Sequence, residues 1–311
     1  MSRWIVEEMS PMEGETVVVT GANSGLGYEA TRAFADAGAT VVMACRSEER
    51  GEAAATDIRR TVRGGNLEVR VCDLADLDSV AAFAEGVHTE AEGIGVLCNN
   101  AGVMAIPRQE TADGFEMQLG VNHLGHFALT GHLLPELRAS EGESRVVTQS
   151  SQAHTAGEMD FSDLQSEREY GKWSAYGRSK LANLLFAYEL QRRLDEHNED
   201  IVSVACHPGY ADTELQFRGP REEGSSVRMG LMKVANNLFG QSAERGALPM
   251  LYAATGEAVT GGEYVGPSGF MRMRGSPEFQ TSNAASRNEA DAERLWTVSE
   301  ELTGVEYEFG E

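Results

Sequence analysis

Short β-branched runs recur along this chain at intervals that leave room for one helix each, and that alternation constrains the fold more than any other feature. The runs lie at 16–20 (TVVVT), 39–45 (ATVVMAC), 67–72 (LEVRVC), 96–99 (VLCN), 144–150 (SRVVTQS), 201–206 (IVSVAC) and around 262–266 (GEYVG). Helical patterns fill 25–37, 47–63, 76–91, 113–138 and 174–197. Strand, helix, strand at this spacing is the signature of crossover connections, which build a parallel sheet with helices on both faces. Several runs are apolar throughout, as a sheet covered on both sides requires. The predicted architecture is α/β, a doubly wound parallel sheet of about seven strands, in one domain spanning 1–311 with no repeat or linker. Residues 208–246 break the rhythm and read as a substrate-loop insertion over the sheet edge. Within it Met229, Leu231, Met232, Leu238 and Phe239 would line an adaptable apolar pocket or pack as core.

The first strand runs into TGANSGLG, Thr20 to Gly27. Glycines at a strand-to-helix turn let the backbone approach a pyrophosphate, and the helix N-terminus offers free N–H groups and a positive dipole end. A glycine trio alone is weak, but between the first strand and first helix of a βαβ unit it is strong, and it makes the fold Rossmann-type. Gly21, Asn23, Ser24, Gly25, Leu26 and Gly27 are the candidate dinucleotide contacts on this loop. The second strand ends in Arg46 where an acid would bind a ribose 2′-OH. A planar cation there suits a 2′-phosphate, with Ser24 and Ser47 as helpers, so NADP(H) is favoured over NAD(H). The alternative for Arg46 is a plain surface cation. Asp73, followed by Leu74, ends the third strand and either accepts from an adenine amino group or caps the helix near Asp76. NNAG, with Asn99, Ala101 and Gly102, closes the fourth strand at the carboxyl edge where open sheets bind ligands. Asn122 sits among apolar helix neighbours and needs partners, either a water or the backbone.

The most telling pair is Tyr176 and Lys180, one turn apart on one helix face. With eight Tyr and only three Lys in 311 residues, such a pair arises by chance about 0.08 times. A phenol acts as a base near neutral pH only if a fixed positive charge favours its phenolate, which Lys180 and an oxidised nicotinamide would supply. Ser151, at the end of the fifth strand, can hydrogen-bond a substrate oxygen while Tyr176 exchanges its proton.

Charge excludes other classes. The chain holds 49 Asp and Glu against 26 Lys and Arg, a formal net charge of −23, so it lacks the clustered cations that a general nucleic-acid binder needs. A surface so acidic fits a salt-adapted cytoplasmic protein, or simply an acidic enzyme. The four Cys, at 45, 72, 98 and 206, have no metal or CxxC spacing and read as small buried residues near strand ends. His123 and His126 share a helix face but have no third ligand nearby, and no metal is expected. No run reaches about 18 apolar residues, and the first residues lack a leader pattern, so no membrane span is expected.

Taken together, TGANSGLG, NNAG, the Asn of VNHLGHF, SSQAH, YGRSK and HPGYADTE resemble the short-chain dehydrogenase/reductase family over nearly the whole chain. CRSEER, DGFEMQLGVNHLGHF, YGRSKLANLLF and ERLWTVSEELTG resemble its retinol-dehydrogenase-like and protochlorophyllide-reductase-like branch. The resemblance implies Asn122, Ser151, Tyr176 and Lys180 as a catalytic tetrad, with Asn122 holding a water that links Lys180 to solvent and Lys180 gripping the nicotinamide ribose. It also implies Asn99 and Gly102 at the adenosine side, Pro208 and Gly209 at the nicotinamide, and Thr213 at its carboxamide or a phosphate. It points to the second of Ser150 and Ser151 as the active serine, and to an alcohol or carbonyl as the small-molecule substrate. Between Ser151 and Tyr176 lies a long interval in which Tyr170 and Trp173 are pocket walls or surface packing. The helix after Lys180 is apolar nearly all round, which suggests a partner helix and a homodimer. Two rivals stand beside this reading. One is a non-catalytic NADP(H)-binding sensor or scaffold, against which the intact Tyr and Lys pair speaks. The other is an epimerase or dehydratase, against which the glycine spacing speaks.

Overall fold

The computed structural model describes residues 4–210 and 241–310. Among these, eight strands form one sheet in the order β3-β2-β1-β4-β5-β6-β7-β8. They are β1 (Thr16–Thr20), β2 (Thr40–Cys45), β3 (Asn66–Val71), β4 (Val96–Asn99), β5 (Ser144–Gln149), β6 (Ile201–Cys206), β7 (Tyr264–Pro267) and β8 (Pro277–Gln280). All neighbours are parallel except β7 and β8. β1 pairs β2 from Thr16 opposite Thr40, and β4 from Val17 opposite Val96. The chain thus winds outward from β1 in one direction and from β4 in the other, which opens a crevice beyond their carboxyl ends. β1, β2 and β6 are buried almost throughout, whereas the edge strand β3 is mostly part-exposed. The eighth strand was not readable. PEFQ is short, polar at two of four positions and begins with a proline, a residue tolerated only at a strand start or on an edge.

Helices α1 (Gly25–Asp36), α2 (Glu48–Arg59) and α3 (Leu77–His88) follow the predicted spans closely. The single helix expected over 113–138 is instead a chain of four pieces. They are α4 (Met117–Leu119), a π-helical turn (Gly120–Leu124), α5 (Gly125–His132) and α6 (Leu134–Arg138). Pro135, at the start of α6, cannot continue the hydrogen-bond ladder from α5. The π-turn adds a residue around Asn122, a deviation that recurs at functional sites.

α7 (Lys172–Glu196) carries the Tyr and Lys pair, and α8 (Ala243–Thr255) and α9 (Glu289–Thr303) complete the layers. α9 was not anticipated, although Asn288 caps its start by accepting from Asp291 N and Gly304 ends it in a left-handed conformation. Its Trp296 packs against Phe127 of α5 and Phe186 of α7, with ring centroids 5.1 and 5.9 Å apart. The apolar circumference of α7 is therefore covered by a helix of the same chain, and its burial asks for no second copy. All four Cys are buried and free, as their placement near strand ends implied.

Candidate active site

A cleft of about 320 Å³ opens above the carboxyl ends of β1 and β4. It is lined by Gly21, Asn23, Ser24, Gly25, Leu26 and Gly27 from the first turn, Arg46, Ser47 and Arg50 from the second, and Asp73 and Leu74 from the third. Asn100, Ala101 and Gly102 form its floor. Close approach explains the glycines. A Cβ on Gly27 would lie 2.4 Å from the Gly21 carbonyl oxygen and 2.6 Å from Asn100 Nδ2, so only a bare backbone lets α1 start against this loop. Ser24 makes no side-chain capping bond to α1, whose first turn also lacks an acid. α2, α3, α8 and α9 each carry an acid in that position. The N-terminus of α1 thus keeps unneutralised N–H groups facing the cleft, which suits a pyrophosphate.

The cleft leads to the Tyr and Lys pair. A Cβ built on Gly102 would lie 2.8 Å from Asn122 Oδ1 and 3.7 Å from Lys180 Nζ. Lys180 Nζ donates to the Gln149 carbonyl (3.0 Å) and stands 6.0 Å from the centre of the Tyr176 ring. Both side chains are buried, and the Tyr176 hydroxyl interacts with Ser151. Burial brings the Lys180 ammonium down to about 8. It pushes the Tyr176 phenol up to about 12, and the Ser151 interaction offsets only part of that. Removal of the phenol from water is the larger of these two effects.

The Asn122 amide is engaged at both ends. Its oxygen accepts from Val103 N (2.8 Å), while its nitrogen donates to the Val103 carbonyl (3.0 Å) and to Ser179 Oγ (2.8 Å). The Val103 backbone and the Ser179 hydroxyl thus surround its side chain.

A model of the short chain dehydrogenase family matches residues 15–223. Human retinol dehydrogenase 12 is 43% identical over 299 residues, covering 96% of this chain and 89% of that protein. Human retinol dehydrogenase 13 is 42% identical over 296 residues, covering 94% and 86%. A crystal structure of an uncharacterized protein from Mycobacterium paratuberculosis is 40% identical, with a TM-score of 0.80 over 99% of this chain and 100% of that one. The chain belongs to the short-chain dehydrogenase family. It is an alcohol–carbonyl oxidoreductase of the retinol-dehydrogenase-like branch.

In this short-chain dehydrogenase the fold gathers most of the sequence-predicted residues and displaces a few. Asn99 is not on the cleft. It ends β4, fully buried, and its amide donates to Thr130 Oγ1 (2.9 Å), whereas Asn100, the first residue past the strand, lines the floor. Successive side chains on a strand face opposite ways, so one of two adjacent Asn had to turn inward. Asp76, not Asp73, caps α3 by accepting from Asp78 N and Ser79 N, which leaves Asp73 on the cleft wall. The dehydrogenase also separates Ser150 from Ser151. Ser150 Oγ donates to the Lys180 carbonyl (2.7 Å), so only Ser151 faces the phenol. Tyr170 ties its loop to the segment at Ile106 and to α4. Its hydroxyl donates to the Ile106 carbonyl (2.8 Å) and accepts from Gln118 Nε2 (2.9 Å). Trp173 is 58% exposed and edge-on to Tyr176, with centroids 6.3 Å apart, so it stands at the mouth of the site. Pro208 and Gly209 lie just past β6 at the same edge, Pro208 accepting from Gln241 Nε2 (2.6 Å). Thr213 and the apolar residues Met229, Leu231, Met232, Leu238 and Phe239 lie outside the described residues. Sequence reading missed Asn100 and Arg50 as cleft residues, although Arg50 stands four positions after Arg46, in the first turn of α2. His123 and His126 are both buried and bonded apart, His123 to Ser299 Oγ (2.9 Å). No group of three metal-ligating side chains is placed to hold an ion among the described residues. None of the described helices is long and apolar enough to cross a membrane.

Proposed function

We propose that the protein is an NADP(H)-dependent reductase of a bulky hydrophobic aldehyde or ketone, run in the carbonyl-to-alcohol direction with Tyr176 as the proton donor. The observation that carries this reading is the meeting, at Gly102, of the dinucleotide-shaped cleft with Asn122 and Lys180, the latter one helical turn from Tyr176. Bound there, the nicotinamide would supply or take the hydride. The protein's own residues do the rest. Ser151 orients the substrate oxygen, and Tyr176, kept protonated by burial, hands its proton to the oxygen as the alkoxide forms. Lys180, still largely charged near neutral pH, stabilises the phenolate left behind. Asn122 holds the loop at Val103 against α7 through Ser179, fixing the depth of the site. The hydrophobic substrate class is supported by likeness to retinol dehydrogenases and by the exposed Trp173 beside the phenol.

Preference for NADP(H) rests on Arg46 and Arg50 on a wall that offers no acid after β2 to a ribose 2′-OH. Arg46→Ala should weaken NADPH binding by about 10-fold or more and leave NADH within about twofold, read by nucleotide fluorescence. Equal losses for both nucleotides would count against a 2′-phosphate contact. The reading as a whole is tested by following NADPH and NADH oxidation with a panel of hydrophobic aldehydes and ketones, in low and multimolar KCl. Tight nucleotide binding without turnover at any salt would favour a sensor.

A further inference from the structure

Asn122 has one polar group that the side-chain network leaves out, its backbone carbonyl, and the residue bonded to it is His126. His126 Nδ1 lies 3.1 Å from that oxygen, and Nε2 lies 2.9 Å from Thr20 Oγ1, at the root of the glycine loop. Thr20 Oγ1 in turn accepts from the backbone N–H groups of Asn100 and Ala101, both at 2.9 Å, on the floor of the cofactor cleft. Every member is buried or part-buried, and His126 is 1% exposed.

The direction of each bond follows from chemistry. A carbonyl only accepts, so Nδ1 carries the proton. Burial keeps the ring neutral, its pKa lowered to about 4, so Nε2 is bare and the Thr20 hydroxyl must donate to it. The competing acceptor for that hydroxyl, the Cys98 carbonyl, is farther away at 3.2 Å. The result is a single polarised line from the cleft floor through Thr20 and His126 to Asn122 O, inside the π-helical turn between α4 and α5.

We propose that His126 is a positioning residue for proton and hydride transfer, coupling the occupied dinucleotide cleft to Asn122, whose side-chain oxygen and Lys180 Nζ both lie against Gly102. The inference rests on the tetrad reading above and adds a member that touches neither substrate nor cofactor. A packed histidine with no such role would cost stability when replaced but would not link Thr20 to turnover. A residue that transmits position makes the effects of the two ends overlap.

The experiment uses the full chain. ¹⁵N-histidine NMR should show His126 as the Nδ1–H tautomer, with its Nε2 resonance moving when NADP⁺ is added and losing its hydrogen-bond shift in Thr20→Val. In steady state with an accepted aldehyde, Thr20→Val and His126→Phe should each lower kcat about 10-fold with KM within about twofold. The double variant should be no slower than the worse single. His126→Asn, which keeps an N–H donor toward Asn122 O and loses Thr20, should match Thr20→Val and covers the case in which the Phe variant does not fold. Additive losses, unchanged kcat in the folded variants, an Nε2–H tautomer or a ring resonance indifferent to nucleotide would each overturn the proposal. If the wild type reduces no carbonyl, the reductase reading fails on its own, and the NMR arm still decides whether the line exists.

Discussion

Tyr176→Phe is expected to lower kcat by about 10³-fold while NADPH still binds within about threefold of wild type. The variant loses one oxygen atom from a buried ring that otherwise packs unchanged beside Trp173. That oxygen is the group that interacts with Ser151, and its burial keeps it protonated far above neutral pH. A phenyl ring has no proton to give to a forming alkoxide, and Ser150 is committed to the Lys180 carbonyl and cannot replace it. The measurement is single-turnover NADPH oxidation with a saturating aldehyde, alongside fluorescence titration of the nucleotide. Activity within tenfold of wild type would remove Tyr176 from the mechanism.

Lys180→Met should abolish most turnover, by about 10²- to 10³-fold, and yet make the protein more stable at neutral pH. The ammonium is buried, and its pKa falls from 10.5 in the unfolded reference to about 8. Between those values the unfolded chain binds more protons than the folded one, so wild-type stability rises with pH across that window. Below about pH 8 both states are protonated and the full penalty of burying the charge is present, on the order of 3 kcal/mol at most. Methionine fills similar space without the charge, and the Gln149 carbonyl keeps its other donor, Asn183 Nδ2, at 2.9 Å. A stabilisation of about 1–3 kcal/mol at pH 7, shrinking as pH approaches 10, is expected from urea unfolding at fixed salt. A variant less stable than wild type at pH 7 would show that Lys180 makes compensating contacts stronger than its desolvation. Tyr176 shifts the opposite way, so its own contribution to stability is lost only above its unfolded value of 10 and does not confuse this window.

Much of this was legible in the chain alone. Seven β-branched runs and the turn chemistry between them fixed a parallel doubly wound sheet, because strands apolar on both faces and joined by helices have few other ways to bury themselves. The glycine loop, Arg46 and the Tyr176 and Lys180 pair were legible for a related reason. They are local, since each depends on a turn or on one helix face, and sequence spacing reports such geometry directly. What the spacing could not report were contacts between segments far apart in sequence. Which of Asn99 and Asn100 faces the cleft, which of Ser150 and Ser151 meets the phenol, and what surrounds Asn122 were all set by neighbours from other elements. The same holds for α9, whose Trp296 covers α7 from more than a hundred residues away. The Tyr176 shift shows this most clearly. By itself the sequence determined that a phenol and an ammonium share one helix face. Only the tertiary structure decided that both are taken out of water, which holds the phenol protonated and weakens the ammonium.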